Sequence, residues 1–161
     1  MSYVLLHDYF PDVAERETRT ITVSPRSEFG LPAGSYGFLE MFCDEPGCDC
    51  RRVFFYVLAS FQKDVQAVVA WGWEKPEFYA QWFGDDDPEV LAELVGPLLN
   101  PASPRTKLAP AILALVRDVL LKDDQYVARV KRHYGMFRNA IDEQGGDRNK
   151  RRKKKAKKAR P

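Results

Sequence analysis

The sequence predicts an α+β fold, with an antiparallel sheet in the first half packed against C-terminal helices and a disordered basic tail beyond them. Three observations predict it. Apolar residues alternate, or run in short β-branched and aromatic stretches, as far as Trp73. From about Thr106 they recur at helical spacing instead. Charge divides sharply: residues 147–161 hold ten Lys/Arg and one Asp, a net +9. Residues 1–146 hold fifteen Lys/Arg and twenty-two Asp/Glu, a net −7, so the overall +2 hides an acidic body with a basic tail.

The elements follow in order. Tyr3 to Leu6 reads as a short strand, and Arg19 to Val23 (RTITV) as a second, ended by Ser24-Pro25. After the turn residues of 30–35 comes the strand Tyr36 to Cys43. It places Tyr36, Phe38, Glu40 and Phe42 on one face. Pro46-Gly47 turns the chain, and Arg51 to Ala59, apolar on both faces, reads as a central buried strand. These two strands make a hairpin with cysteines at its tip. Val65 to Trp73 is the next strand, and Pro76 to Phe83 a short helix. Asp87 caps a further helix that opens on Pro88 and ends at Gly96-Pro97. Leu108, Ile112, Leu115, Val116, Val119 and Leu120 share one helical face. Asp123 caps the last helix, from Asp124 to about Asp142, with the stripe Val127, Val130, Tyr134, Phe137 and Ile141. Gly145-Gly146 is expected to stop it.

Size and composition bound the function. A chain of 161 residues, 45% hydrophobic, suits one folded domain over 1–146. No apolar run reaches the ~18–20 residues of a membrane helix. Met1 to Phe10 lacks a basic n-region and does not read as a signal peptide. The default location is cytoplasmic. Phosphate loops, dinucleotide glycine fingerprints and serine-hydrolase elbows are all absent from the sequence. No catalytic residue is nominated, and whether the protein is an enzyme stays open.

All three cysteines lie between positions 43 and 50. Cys43, Cys48 and Cys50 give C-x4-C-x-C, in which a turn presents several thiolates together, as a soft tetrahedral ion requires. An odd, clustered set argues against a disulfide framework. The implied cofactor is structural Zn2+. Three sulfurs leave zinc one ligand short. His133, at the edge of the last helix's stripe, is the first candidate to fill the shell, and His7 is its rival. Asp44 and Asp49 are weaker donors here. Three thiolates and an imidazole would close the shell and leave no position for substrate. A thiol-redox pair of Cys48 and Cys50 is the alternative, and plain burial of small apolar side chains a third reading.

The run Tyr36-Gly37-Phe38-Leu39-Glu40-Met41-Phe42-Cys43, with Cys48-Asp49-Cys50-Arg51-Arg52-Val53, resembles a hairpin found in a group of uncharacterised bacterial proteins. Their pattern is Y-x-F-x-E-x-[YF]-C-x4-C-D-C-R-[RK]-V, followed downstream by His-Tyr-x-x-Phe-[RK], here His133 to Arg138. The resemblance covers about a third of the chain. It implies a shared architecture and a shared metal site, and no activity.

Other features have plainer readings. Arg51 and Arg52 are expected to pair with Asp44, Glu45 or Asp49 at an exposed strand start. Trp71, Trp73, Phe78, Tyr79, Trp82 and Phe83 are expected to pack between sheet and helices rather than stack on bases, since the nearby aspartates repel phosphate. An exposed patch of them would instead mark a protein-interaction module. The aspartates at 85–87 lack the alternation of a calcium loop and are expected to cap a helix. In the tail, Lys150, Arg151, Arg152, Lys153, Lys154 and Lys155 are six consecutive cations. They suit RNA or DNA phosphate through counterion release, with solubilisation as the plain alternative and an anionic membrane surface as a weaker one.

Overall fold

The computed structural model describes residues 2–158. The elements are β1 (Tyr3–Leu5), α1 (Leu6–Tyr9), α2 (Pro11–Glu17), β2 (Arg19–Val23), β3 (Gly34–Cys43), β4 (Arg52–Ala59) and β5 (Gln62–Gly72). Then come α3 (Pro76–Phe83), α4 (Pro88–Val95), β6 (Leu98–Leu99), α5 (Ala109–Asp118), a single 3-10 turn (Leu120–Lys122) and α6 (Asp124–Lys158). The expected α+β architecture is present. All strand pairs are antiparallel, in the order β1-β3-β4-β5-β6. β2 also pairs with β3, on the edge it shares with β1.

That shared edge is interrupted. β1 pairs with Met41 to Cys43, and β2 with Gly34 to Phe38. Leu39 and Glu40 pair only with β4, through Tyr56 and Phe55. The chain between β1 and β2 leaves the sheet here as α1 and α2, a segment for which the sequence reading named no element. Pro11 sits at the first turn of α2, where its missing N–H costs nothing.

The buried sheet face carries Tyr36, Phe38, Glu40 and Phe42 from β3, as the alternation predicted. Val53, Phe55 and Val57 continue it from β4, and Ala67 and Val69 from β5. α6 lies across this face. Phe42 meets Tyr134 and Phe137 at ring centroid distances of 5.9 and 5.6 Å, and Tyr126 lies 6.3 Å from Phe55. β4 is central, but not buried on both faces as expected. Its Arg52, Phe54, Tyr56 and Leu58 are only half-covered, with Tyr3 stacked 4.0 Å from Phe54.

α3 and α4 close the far side of β5. Gly72 is required there, because a Cβ would sit 2.3 Å from the Tyr79 hydroxyl and 2.7 Å from the Leu94 carbonyl. Most of the aromatic stretch packs inward as expected, with Tyr79 fully buried and Trp71, Trp73 and Trp82 half-buried against the core, while Phe83 stays exposed. Among the described residues only Phe61 and Phe83 are large apolar side chains exposed to solvent, so this stretch forms no aromatic docking patch. Asp87 caps α4 by accepting from the Glu89 N–H at 2.8 Å. Asp123 caps α6 through the N–H groups of Gln125 and Tyr126.

Two boundaries differ from expectation by three residues or more. β5 begins at Gln62, because the tight turn at Ser60-Phe61 pairs Gln62 with Ala59 and extends three exposed polar residues by hydrogen bonding alone. The glycine pair does not stop α6, which continues to Lys158. Neither glycine adopts the left-handed backbone that ends helices. Gly145 instead gives clearance: a Cβ would lie 2.8 Å from Pro46 of the cysteine loop. Residues 147–158 are all exposed, as a segment outside the core must be, but their backbone is helical where disorder was expected. Lysine, arginine and alanine are good helix formers. No helix among the described residues is long and apolar enough to cross a membrane.

Truncation after Gly146 is expected to leave the thermal unfolding midpoint unchanged. Phe42→Ala should cost ~3–5 kcal/mol in a urea titration, because its neighbours Tyr134 and Phe137 cannot close the gap.

Candidate metal centre and its helical clamp

The loop between β3 and β4 carries the three cysteines. One ligand-capable sulfur from each of Cys43, Cys48 and Cys50 lies within 4.8 Å of the others. Cys43 and Cys50 are buried and Cys48 is half-buried. Zinc–sulfur bonds of ~2.3 Å set tetrahedral sulfur spacings at about 3.8 Å, so small side-chain adjustments suffice to close around an ion. No disulfide joins them.

α6 fixes the shape of this loop with three side chains at i, i+4 and i+8. The Tyr134 hydroxyl accepts from the Arg51 N–H at 3.1 Å and donates to Asp49 at 3.4 Å. The Arg138 guanidinium donates to the carbonyls of Glu45 (2.7 Å), Cys48 (3.1 Å) and Cys43. Asp142 accepts from the Gly47 N–H at 2.7 Å, at the turn where Gly47 takes a left-handed φ of 76°. Arg51, directly after Cys50, also has a positive φ, 46°. That conformation costs a non-glycine residue of order 1 kcal/mol or more. Tyr134 holds its N–H and Tyr79 its carbonyl, at 2.9 Å. The reversal turns the chain from the loop into β4.

Arg51 finds one of its expected partners, Asp49, and Arg52 does not. Arg51 reaches Asp49 and Glu74 and lies 4.5 Å over Phe78. Arg52 forms no ion pair among the described residues and donates to the Leu94 and Glu93 carbonyls. Asp44 is occupied by the Ser2 hydroxyl at 2.7 Å.

Burial pushes all three thiols above their ordinary range, with charge from neighbouring sulfurs adding to it. They stay protonated at neutral pH, the reverse of an activated thiolate nucleophile. Two buried donors beside them lack acceptors: the Tyr3 hydroxyl, next to Cys50, and Arg138 Nε.

His133 does not join the cysteines, which corrects the expected ligand set. It precedes Tyr134 by one residue, so the ~100° step of the helix turns it away from the loop. It is 1% exposed and held between two carboxylates. Nδ1 lies 2.7 Å from Glu40 Oε2, and Nε2 2.5 Å from Glu17 Oε2. Tyr126 donates to the other Glu40 oxygen at 3.1 Å, and Arg132 contacts both Glu17 oxygens at 2.7 Å. The rival, His7, is exposed and also lies outside the cysteine group. Glu17, Glu40, Arg138 and Asp142 were missed by the sequence reading. Glu40 was visible as the one charged residue on an apolar strand face. The 134/138/142 spacing was visible as a polar row beside the helical stripe.

Lys150, Arg151, Arg152, Lys153, Lys154 and Lys155 all lie exposed on the outer part of α6. No protein-family model, no curated protein and no solved structure matches the chain.

Burial pulls the His133 pKa down, but hydrogen bonds and charge from Glu40 and then Glu17 outweigh it and raise the pKa above its ordinary 6.5. Hydrogen bonds from His133 and Arg132 lower Glu17 from 4.5 to about 2. The histidine's contribution is complete below 6.5 and is lost as pH rises through its folded value. The Glu17 contribution is complete above 4.5 and is lost as pH falls towards 2. Stability from this network should therefore be greatest between 4.5 and 6.5. Urea titrations of wild type and His133→Gln from pH 5 to 9 should show a wild-type advantage that shrinks with rising pH. His133→Ala should cost ~3–5 kcal/mol at pH 6, since it strands Glu40 without its partner.

Proposed function

We propose that the protein is a small zinc-stabilised α+β protein in which Cys43, Cys48 and Cys50 hold one ion, and that its basic segment contacts nucleic acid. The gathering of three sulfurs within 4.8 Å carries the metal reading. Three soft donors favour zinc over magnesium or calcium. Charge supports the same reading. Zinc with three thiolates is a −1 unit, and the Arg138 guanidinium is placed to neutralise it while shaping the loop that contains it. The ion would tie the end of β3 to the start of β4. With His133 held by two carboxylates and His7 outside the cysteine group, the fourth position falls to solvent or an external donor, so closure of the shell by imidazole no longer supports the structural role. That role rests instead on the burial of Cys43 and Cys50 and on the clamp around the loop.

Metal analysis of protein purified without added metal should give one zinc per chain. Cys48→Ser should abolish retention, and Arg138→Gln should weaken it ~10–100-fold, the range for residues that orient ligands. Removing zinc with a chelator should lower the unfolding midpoint. Metal-free protein with a reversible Cys48–Cys50 disulfide would instead favour redox chemistry.

Six consecutive exposed cations on an otherwise acidic protein support the nucleic-acid contact. Such contacts release counterions and read no sequence. Binding to a random single-stranded RNA, followed by fluorescence anisotropy, should fall steeply between 50 and 200 mM salt, by roughly 300-fold if all six cations engage. Truncation after Gly146 should abolish it. Equal binding by the truncated protein would overturn this reading.

A further inference from the structure

The interrupted edge of β3 opens into a cavity of ≈ 490 Å³, and its lining includes Leu5, Leu6, Ala14, Leu39, Glu40 and His133. This volume falls within the ~300–1,000 Å³ typical of small-molecule sites. No cysteine lines it, so it is separate from the proposed metal centre. Its construction follows from the topology. β1 stops opposite Met41 and β2 starts opposite Phe38, and α1 and α2 arch over the gap. The walls are therefore aliphatic, while the floor is the sheet position occupied by Glu40.

Two side chains of the lining are both polar and more than nine-tenths buried: Glu40, 5% exposed, and His133, 1% exposed. Buried ionisable groups in an apolar cavity are expensive unless paired, and they concentrate at functional sites. The hydrogen bonds from Tyr126 and His133 occupy two of the roughly four acceptor positions of the Glu40 carboxylate. The remaining capacity can only accept, because an ionised carboxylate has no proton to give.

Charge then selects the ligand. Around the cavity stand three carboxylates, Glu15 and Glu40 in the lining and Glu17 behind it, against Arg132 and two histidines, the buried His133 and the exposed His7. Arg132 and His133 are both committed to Glu17. Glu15, at the exposed mouth, forms no ion pair among the described residues. The carboxylates outnumber Arg132 and His133 even when the imidazole is counted as charged, so an anion is repelled and a cation with N–H donors is welcome.

We propose that this cavity is a binding site for a small primary amine: an apolar body against Leu5, Leu6, Ala14 and Leu39, and an ammonium head directed to the Glu40 carboxylate, with Glu15 adding negative charge at the mouth. The head would take up the unused acceptor positions of Glu40, and the body would cover the aliphatic walls that the missing strand leaves open.

The test uses the full chain with three probes of equal length: hexylamine, 1-hexanol and hexanoate. Binding is followed at pH 7 by calorimetry and by amide chemical shifts. Hexylammonium should bind at one saturable site, at least tenfold tighter than hexanol, and should shift the signals of Ala14, Leu39 and His133. Hexanoate should leave those signals unmoved. Ala14→Leu, which fills the cavity from α2 without touching the polar floor, should weaken hexylammonium binding at least tenfold. Glu15→Gln should narrow the preference for amine over alcohol. Glu40→Gln should narrow it further; if that variant fails to fold, the Ala14 and Glu15 variants decide alone. Absence of saturable binding, hexanol binding as tightly as the amine, or shifts confined to residues outside the cavity would each overturn the proposal.

Discussion

Arg138 is the side chain on which the cysteine loop most depends. One guanidinium satisfies three backbone carbonyls, those of Cys43, Glu45 and Cys48, spread over six residues of irregular chain. A loop without regular hydrogen bonds must find partners for its buried carbonyls or forfeit ~1–3 kcal/mol for each. Here they find a single cation supplied by a helix. The five donors of arginine in a fixed fork make this possible, and lysine offers no equivalent geometry. The same group places positive charge beside the sulfurs, so shaping the loop and tuning its charge are one act.

The clamp belongs to a larger arrangement along α6. Tyr126, Val130, Phe137 and Ile141 drive the helix onto the sheet through burial. On one side of this apolar stripe the row Tyr134, Arg138 and Asp142 meets the cysteine loop. Near its other side Arg129, Arg132 and His133 meet the end of α2, through the Glu17 carbonyl and carboxylate. Adjacent positions on a helix diverge by ~100°, and His133 and Tyr134 serve different parts of the molecule for that reason alone. The two candidate sites share a support but no ligand. Loss of the packing at Phe137 would loosen both.

Much of the architecture was legible in the residues. Alternation placed Phe38, Glu40 and Phe42 on one face, and that face is buried. Asp87 and Asp123 were read as caps and serve as caps. The cysteine cluster announced itself through spacing. What escaped was set by tertiary contact. The segment Leu6 to Glu17 has neither strong periodicity nor a capping side chain, and it is helical because it bridges two strands on one edge. The two-residue β6 exists only through its pairing with Val69 and Ala70. Gly145-Gly146 carries the signature of a helix stop, but Gly145 answers to the nearness of Pro46. His133 looked like a metal ligand because the chain has only two histidines. No spacing rule reveals that Glu17 and Glu40, distant in sequence, already hold both of its ring nitrogens.

The divided edge of β3 has a bearing on behaviour in a crowded solution. A long, flat, unpaired strand is a template on which another chain can add, and it is a common route to aggregation. Neither border of this sheet offers one. One border is built from three-residue β1 and five-residue β2, with a helical excursion between them. At the other border the two-residue β6 covers only Val69 and Ala70 of β5, and the N–H groups of Asn100 and Thr106 occupy the Val68 and Gln66 carbonyls. The long strands β3 and β4, whose aromatic and β-branched content would make them hazardous at a border, are held in the interior of the sheet, and β5 is packed against α4 and α5. The gap that opens the cavity is thus also an interruption that a neighbouring chain cannot zip along.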